Sequence, residues 1–207
     1  FIGRHRGSGS YLQFAYDEEN TLWTSGGGAV VGWLNTREFL ETGDAASAQG
    51  WSPLILDTNG NGQLDEWVEP GEELDSSKDM RVNAGFYAVM PNPADGSIWG
   101  SNAFGYPGAI VRYDPTTGLG ERYNVPLPGF GSRGADIDKN GVVWVSLGSG
   151  HLGEFDRREC QGPLNGPKAT GDHCPEGWTF HPLPGPGFRD LPEDSVESSY
   201  YTWVDQH

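Results

Sequence analysis

The sequence predicts an all-β fold, a β-propeller of four-stranded blades. Three observations carry this: a strand-and-turn unit that repeats along the chain, a composition rich in turn formers and aromatic residues, and the want of any long Ala/Leu/Glu/Lys run that would build helices. In 207 residues there are 32 Gly and 15 Pro beside 8 Trp, 8 Tyr and 9 Phe, which suits short strands joined by many turns.

Three segments superimpose. The first runs Phe14-Ala15-Tyr16-Asp17, Asn20-Thr21-Leu22-Trp23 and Gly32-Trp33-Leu34-Asn35. The second runs Val89-Met90-Pro91-Asn92, Asp95-Gly96-Ser97-Ile98-Trp99 and Ile110-Val111-Arg112-Tyr113-Asp114. The third runs Asp136-Ile137-Asp138, Asn140-Gly141-Val142-Val143-Trp144 and Leu152-Gly153-Glu154-Phe155-Asp156. Each reads as a strand ending in Asp or Asn, a tight turn, a strand carrying Trp, a link and another strand. Asp95-Gly96 and Asn140-Gly141 are dipeptides of a two-residue hairpin, whose central residues take positive φ. A fourth strand recurs in Arg122 to Gly129 and Thr179 to Gly185, and Tyr200-Tyr201-Thr202-Trp203-Val204-Asp205 reads as the start of a further unit.

Trp99 and Trp144 lie 45 residues apart, the length of one blade, whereas Trp23 and Trp99 are separated by 76. The excess predicts an acidic insertion over residues 39–83, and a second, cysteine-containing insertion is expected over 158–177, all within one partial propeller domain, 1–207. A propeller closes with about four to eight blades. About three blades and the start of a fourth therefore imply a larger propeller, whose ring is completed by the rest of the polypeptide or by other subunits. The alternative is a β-sandwich with coincidental Asn-Gly turns.

The stretch Pro107 to Gly118, followed by Tyr123 to Pro128 and Asp138-Lys139-Asn140-Gly141-Val142-Val143-Trp144, resembles blades of the streptogramin lyase (virginiamycin B lyase-like) family. The resemblance covers the three units and implies a propeller. Lyases of that family carry out a metal-assisted elimination with histidines and a glutamate in the central channel. No Glu-x-His pair is present here to receive those roles. His151 lies inside a repeat, where it would face a channel or serve as a structural histidine.

The sharpest chemical motif is Asp57-Thr58-Asn59-Gly60-Asn61-Gly62-Gln63-Leu64-Asp65. Ca²⁺ takes six to eight oxygen ligands, and a tightly wound loop supplies them from its first, third and fifth residues, a backbone carbonyl at the seventh and a further group at the ninth. Asp57, Asn59, Asn61, Gln63 and Asp65 fit those places, and Gly62 fits the sharp sixth position. Val68 stands where the bidentate Glu of an EF-hand is expected, so Glu69 or Glu66 would have to substitute by a different path. The alternative is a solvated acidic face running from Asp65 through Glu72, Glu73 and Asp75.

Asp and Glu outnumber Lys and Arg by 29 to 13, giving a net charge of −16, which repels nucleic acid and anionic lipid and attracts cations. No apolar stretch approaches the roughly 20 residues of a membrane span. The chain begins at Phe1, which suits a processed chain or an interior fragment. Cys160 and Cys174 flank a turn-rich loop that a disulfide would stabilise by about 3 kcal/mol, against the reading of two unpaired thiols. Together these place the chain in an extracellular or periplasmic setting.

Gly26-Gly27-Gly28 reads as a link between strands, not a phosphate loop, and no nucleophile elbow occurs. Phe104, Tyr106 and Trp178 fall in links where they would line a protein- or carbohydrate-binding surface. Two functions stay open: a non-catalytic, exported, calcium-binding propeller module with a binding, scaffolding or assembly role, and a metal-dependent lyase or hydrolase acting at the channel.

Overall fold

Short alternating segments punctuated by Gly, Asn and Asp fold into antiparallel strands. The computed structural model describes residues 14–24, 29–103, 105–184, 202 and 204. Blade 1 consists of β1 (Phe14–Tyr16), β2 (Thr21–Thr24), β3 (Val30–Asn35) and β4 (Gln49–Pro53), paired in that order. A short helix, α1 (Thr36–Thr42), joins β3 to β4; Asn35 caps it through a hydrogen bond from the Glu38 amide, and Gly43 ends it in the left-handed conformation. The segment 39–83 thus begins inside α1 and takes in β4, the outer strand of blade 1.

The chain then forms β5 (Ile55–Leu56), β6 (Trp67–Val68) and β7 (Asp79–Arg81) before entering blade 2, which is β8 (Ala88–Pro91), β9 (Ile98–Asn102), β10 (Ala109–Tyr113) and β11 (Leu119–Asn124). β5 adds in parallel to β11 at Leu119 and Gly120, and β7 and β6 follow outside it, so this sheet has seven strands. Blade 3 is β12 (Ser132–Ile137), β13 (Val143–Leu147), β14 (His151–Phe155) and β15 (Trp178–Pro182). The first strands β1, β8 and β12 lie side by side, which is the radial arrangement of propeller blades.

Because successive strand residues face opposite ways, blade 2 supplies both neighbouring cores. Val89, Ile98, Val111 and Tyr113 pack with Trp23 and Val31 of blade 1. Met90, Trp99, Ile110 and Tyr123 pack with Ile137, Val143, Val145 and Phe155 of blade 3. The three repeat tryptophans occupy equivalent second strands. Trp23 meets Tyr113 of blade 2 at 6.3 Å, and Trp99 meets Phe155 of blade 3 at 6.0 Å. Trp144 is half-buried and stacks on His181 of its own blade at 5.8 Å.

The turns between first and second strands are longer than the two-residue hairpins expected. Asp17 and Asp138 each open a three-residue loop, with Asn20 and Gly141 as its left-handed residue, and Asn92 opens a four-residue loop closing on Gly96. Asn140 is not left-handed. The cause is the aspartate: Asp17 Oδ1 accepts the Glu19 and Thr21 amides at 2.9 Å each, and Asp138 Oδ1 accepts those of Asn140 and Val142 at 2.8 and 3.0 Å. Such side-chain capping favours a type I turn over the tighter primed forms. The second carboxylate oxygen takes the indole N–H of the repeat tryptophan, at 2.7 Å for Trp23 and 3.4 Å for Trp144, while in blade 2 Ser97 Oγ accepts from Trp99 at 3.0 Å.

A serine two places after the tryptophan also recurs. Ser101 Oγ donates to the Arg133 carbonyl on the first strand of the next blade, and Ser146 Oγ lies 2.7 Å from the Thr202 hydroxyl. The Val204 amide donates to Asp136 at 2.9 Å. The rest of the expected strand at 200–205 lies outside the described residues, as do the Gly26 to Gly28 link and Phe104.

Candidate metal centre on the rim of blade 2

Asp57 follows β5 directly, and Asp79 opens β7, so the pairing of these two strands brings the acidic loop and a distant aspartate together. Within the loop Asp57 Oδ1 accepts the Gly60 and Asn61 amides at 2.6 and 3.1 Å, and its Oδ2 accepts the Gly62 amide at 2.8 Å. Asn59 Oδ1 accepts the Asn61 amide at 3.0 Å, and Asn61 Oδ1 that of Gln63 at 2.8 Å. Gly60 and Gly62, at φ of 80° and 75°, supply the left-handed steps that let the chain coil around Asp57.

The structure brings Asp57, Asn59, Asn61, Gln63 and Asp65 onto one coil. The side-chain amides of Asn59 and Asn61 both donate to Asp65 Oδ2, at 2.9 and 2.6 Å, and these bonds hold the Asp65 carboxyl below its ordinary range. The Glu69 carboxylate is engaged by other side chains. It pairs with Arg81 at 3.1 Å and accepts the Trp67 indole N–H at 3.2 Å.

Asp79 is the residue that sequence reasoning missed. It is fully buried, with relative exposure of 0 %. Its Oδ2 accepts the Asp65 amide at 2.9 Å, while Oδ1 has no hydrogen-bond partner, the nearby Thr58 amide being held by the Leu56 carbonyl at 2.9 Å. Burial drives its carboxyl above the ordinary range; the Asp65 amide and, more weakly, the Thr58 amide oppose this, and the charges of Asp57 and Asp65 add to it. Its sequence context, Ser77-Lys78-Asp79-Met80, gives no metal-loop signal; only strand pairing reveals it. Among the described residues no three His, Cys, Asp or Glu side chains stand close enough together to hold a metal ion. The donor set of this coil would therefore have to combine carboxylate, side-chain amide and backbone oxygens, the ligand types of a hard cation.

The cysteine-containing insertion reaches the same place. Cys160 and Cys174 are joined in a disulfide, as expected. Asn165 Nδ2 donates to Asp57 Oδ2 at 3.1 Å, and the Gly166 amide donates to the Asp57 carbonyl at 2.7 Å.

Other candidate residues lie apart. His151 is buried on the third strand of blade 3, with Nδ1 3.0 Å from Ser149 Oγ and its ring 6.0 Å from that of Phe180 on the outer strand. His181 and Glu154 do form a pair at 2.7 Å, but on β15 and β14 at the outer rim. Tyr106 is 77 % exposed. Trp178, expected in a surface link, instead opens β15 and packs into the core between blades 2 and 3. A groove of about 450 Å³ lies between blades 1 and 2, bordered by Tyr16, Trp23, Pro91, Pro93 and Pro115, with Asp17 already committed to its own turn. Among the described residues no helix is long and apolar enough to cross a membrane.

No family model and no curated protein matches this sequence. Solved structures do. A catalytically inactive virginiamycin B lyase from Staphylococcus aureus with quinupristin is 13 % identical with a TM-score of 0.51, matched over 85 % of this chain and 42 % of its own. The selenomethionine form of that lyase gives 13 % identity and a TM-score of 0.48 over 81 % and 45 %. The extracellular domain of a one-component system from B. thetaiotaomicron gives 12 % and 0.46 over 80 % and 18 %. The chain spans less than half the length of these structures. The first likeness shows the β-propeller fold alone.

Proposed function

We propose that the chain is an exported, calcium-binding β-propeller module with a binding, scaffolding or assembly role, and that calcium orders the excursion on the rim of blade 2. The observation that carries this is Asp79. An ionised carboxylate with no exposure and an unpartnered oxygen is costly to bury unless a cation accompanies it. Asp57 and Asp65 beside it add negative charge, and the Asn59 and Asn61 N–H donors on Asp65 neutralise it only in part. Asp57 and Asp65, with the side-chain oxygens of Asn59 and Asn61 and the Gln63 carbonyl, would hold the ion, and Asp79 would act beside them as a buried charge that the ion offsets; Glu69 is not needed.

Export is supported by the Cys160–Cys174 disulfide. Incomplete calcium loops of external modules bind at about 10⁻⁴ to 10⁻³ M, which suits that setting. The contacts of Thr202 with Ser146 and of Val204 with Asp136 on blade 3 support a ring continued by a further unit, with more blades or another chain beyond it. The exposed Tyr106 and the groove at Tyr16 are the surfaces offered to a protein or carbohydrate partner.

Calorimetric titration and melting with CaCl₂ test the reading. The native chain should gain about 1.4 kcal/mol of stability at calcium tenfold above Kd. Asp79→Asn should abolish that gain while leaving the calcium-free melting temperature unchanged or higher. No heat and no shift for the native chain at about 5 mM calcium, well above the expected Kd, would overturn it.

A further inference from the structure

We infer that the metal centre is assembled from two insertions, with Asn165 as a positioning residue, so that closure of the Cys160–Cys174 loop tightens calcium binding at Asp57. The inference rests on the calcium reading above and adds a determinant of affinity.

The two segments are 108 residues apart and meet at one aspartate. Asp57 Oδ2 is held by the Gly62 amide from its own loop and by Asn165 from the other, at 2.8 and 3.1 Å, and the Asp57 carbonyl is held by the Gly166 amide at 2.7 Å. The backbones touch. A Cβ added to Gly60 would lie 3.3 Å from Gly166 Cα, tighter than an ordinary contact, whereas one added to Gly166 would lie 3.9 Å from Gly60 Cα, so the small residue matters most at Gly60. On its far side the cysteine loop is pinned to β11, where the Asn124 amide donates to the Gly171 carbonyl at 3.0 Å and Asn124 Nδ2 to Asp172 at 2.8 Å.

Asn165 therefore sits within a loop fixed at its two ends by one disulfide and along its length by blade 2. The buried, unpartnered Asp79 oxygen marks the same centre independently. Groups that orient a metal ligand without touching the metal commonly alter affinity by about 10- to 100-fold. Opening the disulfide frees this loop, so that Asn165 must be ordered at each binding event and the apparent affinity falls with the ordered fraction.

The test compares calcium titrations of the native chain, Asn165→Ala and the double variant Cys160→Ser/Cys174→Ser, with near-ultraviolet circular dichroism verifying the fold. Amide exchange at residues 60–63 is measured in calcium-free protein. Both variants are expected to bind calcium at least about tenfold more weakly and to exchange faster at 60–63. If the double variant fails to fold, Asn165→Ala decides. Folded variants with native Kd and native exchange overturn this inference alone. A native chain that takes up no calcium overturns the calcium reading and the affinity claim together, and the exchange data then still report whether the two loops support one another.

Discussion

Arg157 grips Glu121 with two hydrogen bonds, Nε to Oε2 at 2.6 Å and Nη2 to Oε1 at 2.7 Å, tying the end of blade 3 to the outer strand of blade 2. Glu121 also accepts from the Tyr123 hydroxyl and, at 3.3 Å, from Arg112. Burial, and then the Glu121 carboxylate, hold the Tyr123 hydroxyl far above its ordinary range, so it remains a donor at any workable pH.

Removing the carboxylate leaves that buried hydroxyl and the Arg157 guanidinium without their acceptor, while Arg112 keeps its bond to Asp95 at 3.1 Å. Glu121→Ala should lower unfolding free energy by about 3 kcal/mol, and Glu121→Gln by less, because an acceptor oxygen is kept. Urea denaturation monitored by tryptophan fluorescence measures both. Equal losses would show that the charge, rather than the acceptor, matters.

Asp17 satisfies two turn amides and an indole with one carboxylate. Asp17→Ala should cost about 2 kcal/mol, as for charged hydrogen bonds in partly buried sites, and should shift Trp23 emission. Asp138→Ala should cost less, since its indole contact is 3.4 Å against 2.7 Å.

His173 has both ring nitrogens buried without partners, 5.1 Å from the Tyr123 ring. Burial lowers its pKa, and the charges of Glu121, Glu176 and Asp172 only partly counter this. With the folded value below the unfolded one of about 6.5, the unfolded chain takes up the proton first as pH falls. The contribution is complete above about pH 6.5 and is lost below it, down through the folded value. Melting temperature should hold from pH 8 to 7 and decline from 6.5 to 5, and His173→Phe should flatten that decline.

Gly100 follows the repeat tryptophan, and a Cβ there would come within 2.2–2.4 Å of ring carbons of Phe86, which is fully buried. Gly100→Ala should cost about 1–3 kcal/mol by overpacking, measured by thermal unfolding. Gly96→Ala, at a turn with φ of 72° and open space around it, tests the contrasting case of backbone strain alone and should cost about 1 kcal/mol.

The blades were legible because their signals are local. The Asp-to-Trp spacing and the alternation through Val89, Met90, Ile98 and Trp99 lie within one hairpin's reach, and the outer strand at Thr179, which pairs with β14 across the cysteine insertion, shows through its likeness to Arg122 to Gly129. β4 was not, because Gln49-Gly50-Trp51-Ser52-Pro53 carries no alternating pattern and becomes a strand only by pairing with β3. The turn type was missed because Asn140-Gly141 suggests a primed turn, while Asp138, two residues earlier, decides the geometry. For the metal centre, loop order exposed Asp57 to Asp65. Asp79 and Asn165 arrive through pairing and docking across 22 and 108 residues, which spacing cannot reveal.

The extension of blade 2 has a bearing on self-association. Strand β11, six residues long, would otherwise present its ladder groups at the rim, but β5 covers Leu119 and Gly120 and the Gly171 carbonyl takes the Asn124 amide. The exposed edge is transferred to β6, only two residues long. Blades 1 and 3 end on strands that each finish in proline, Pro53 and Pro182, which have no amide hydrogen to offer a neighbour. Among the described blades the rim thus offers a neighbouring strand a short edge on blade 2 and, on blades 1 and 3, an edge lacking one amide donor at its end.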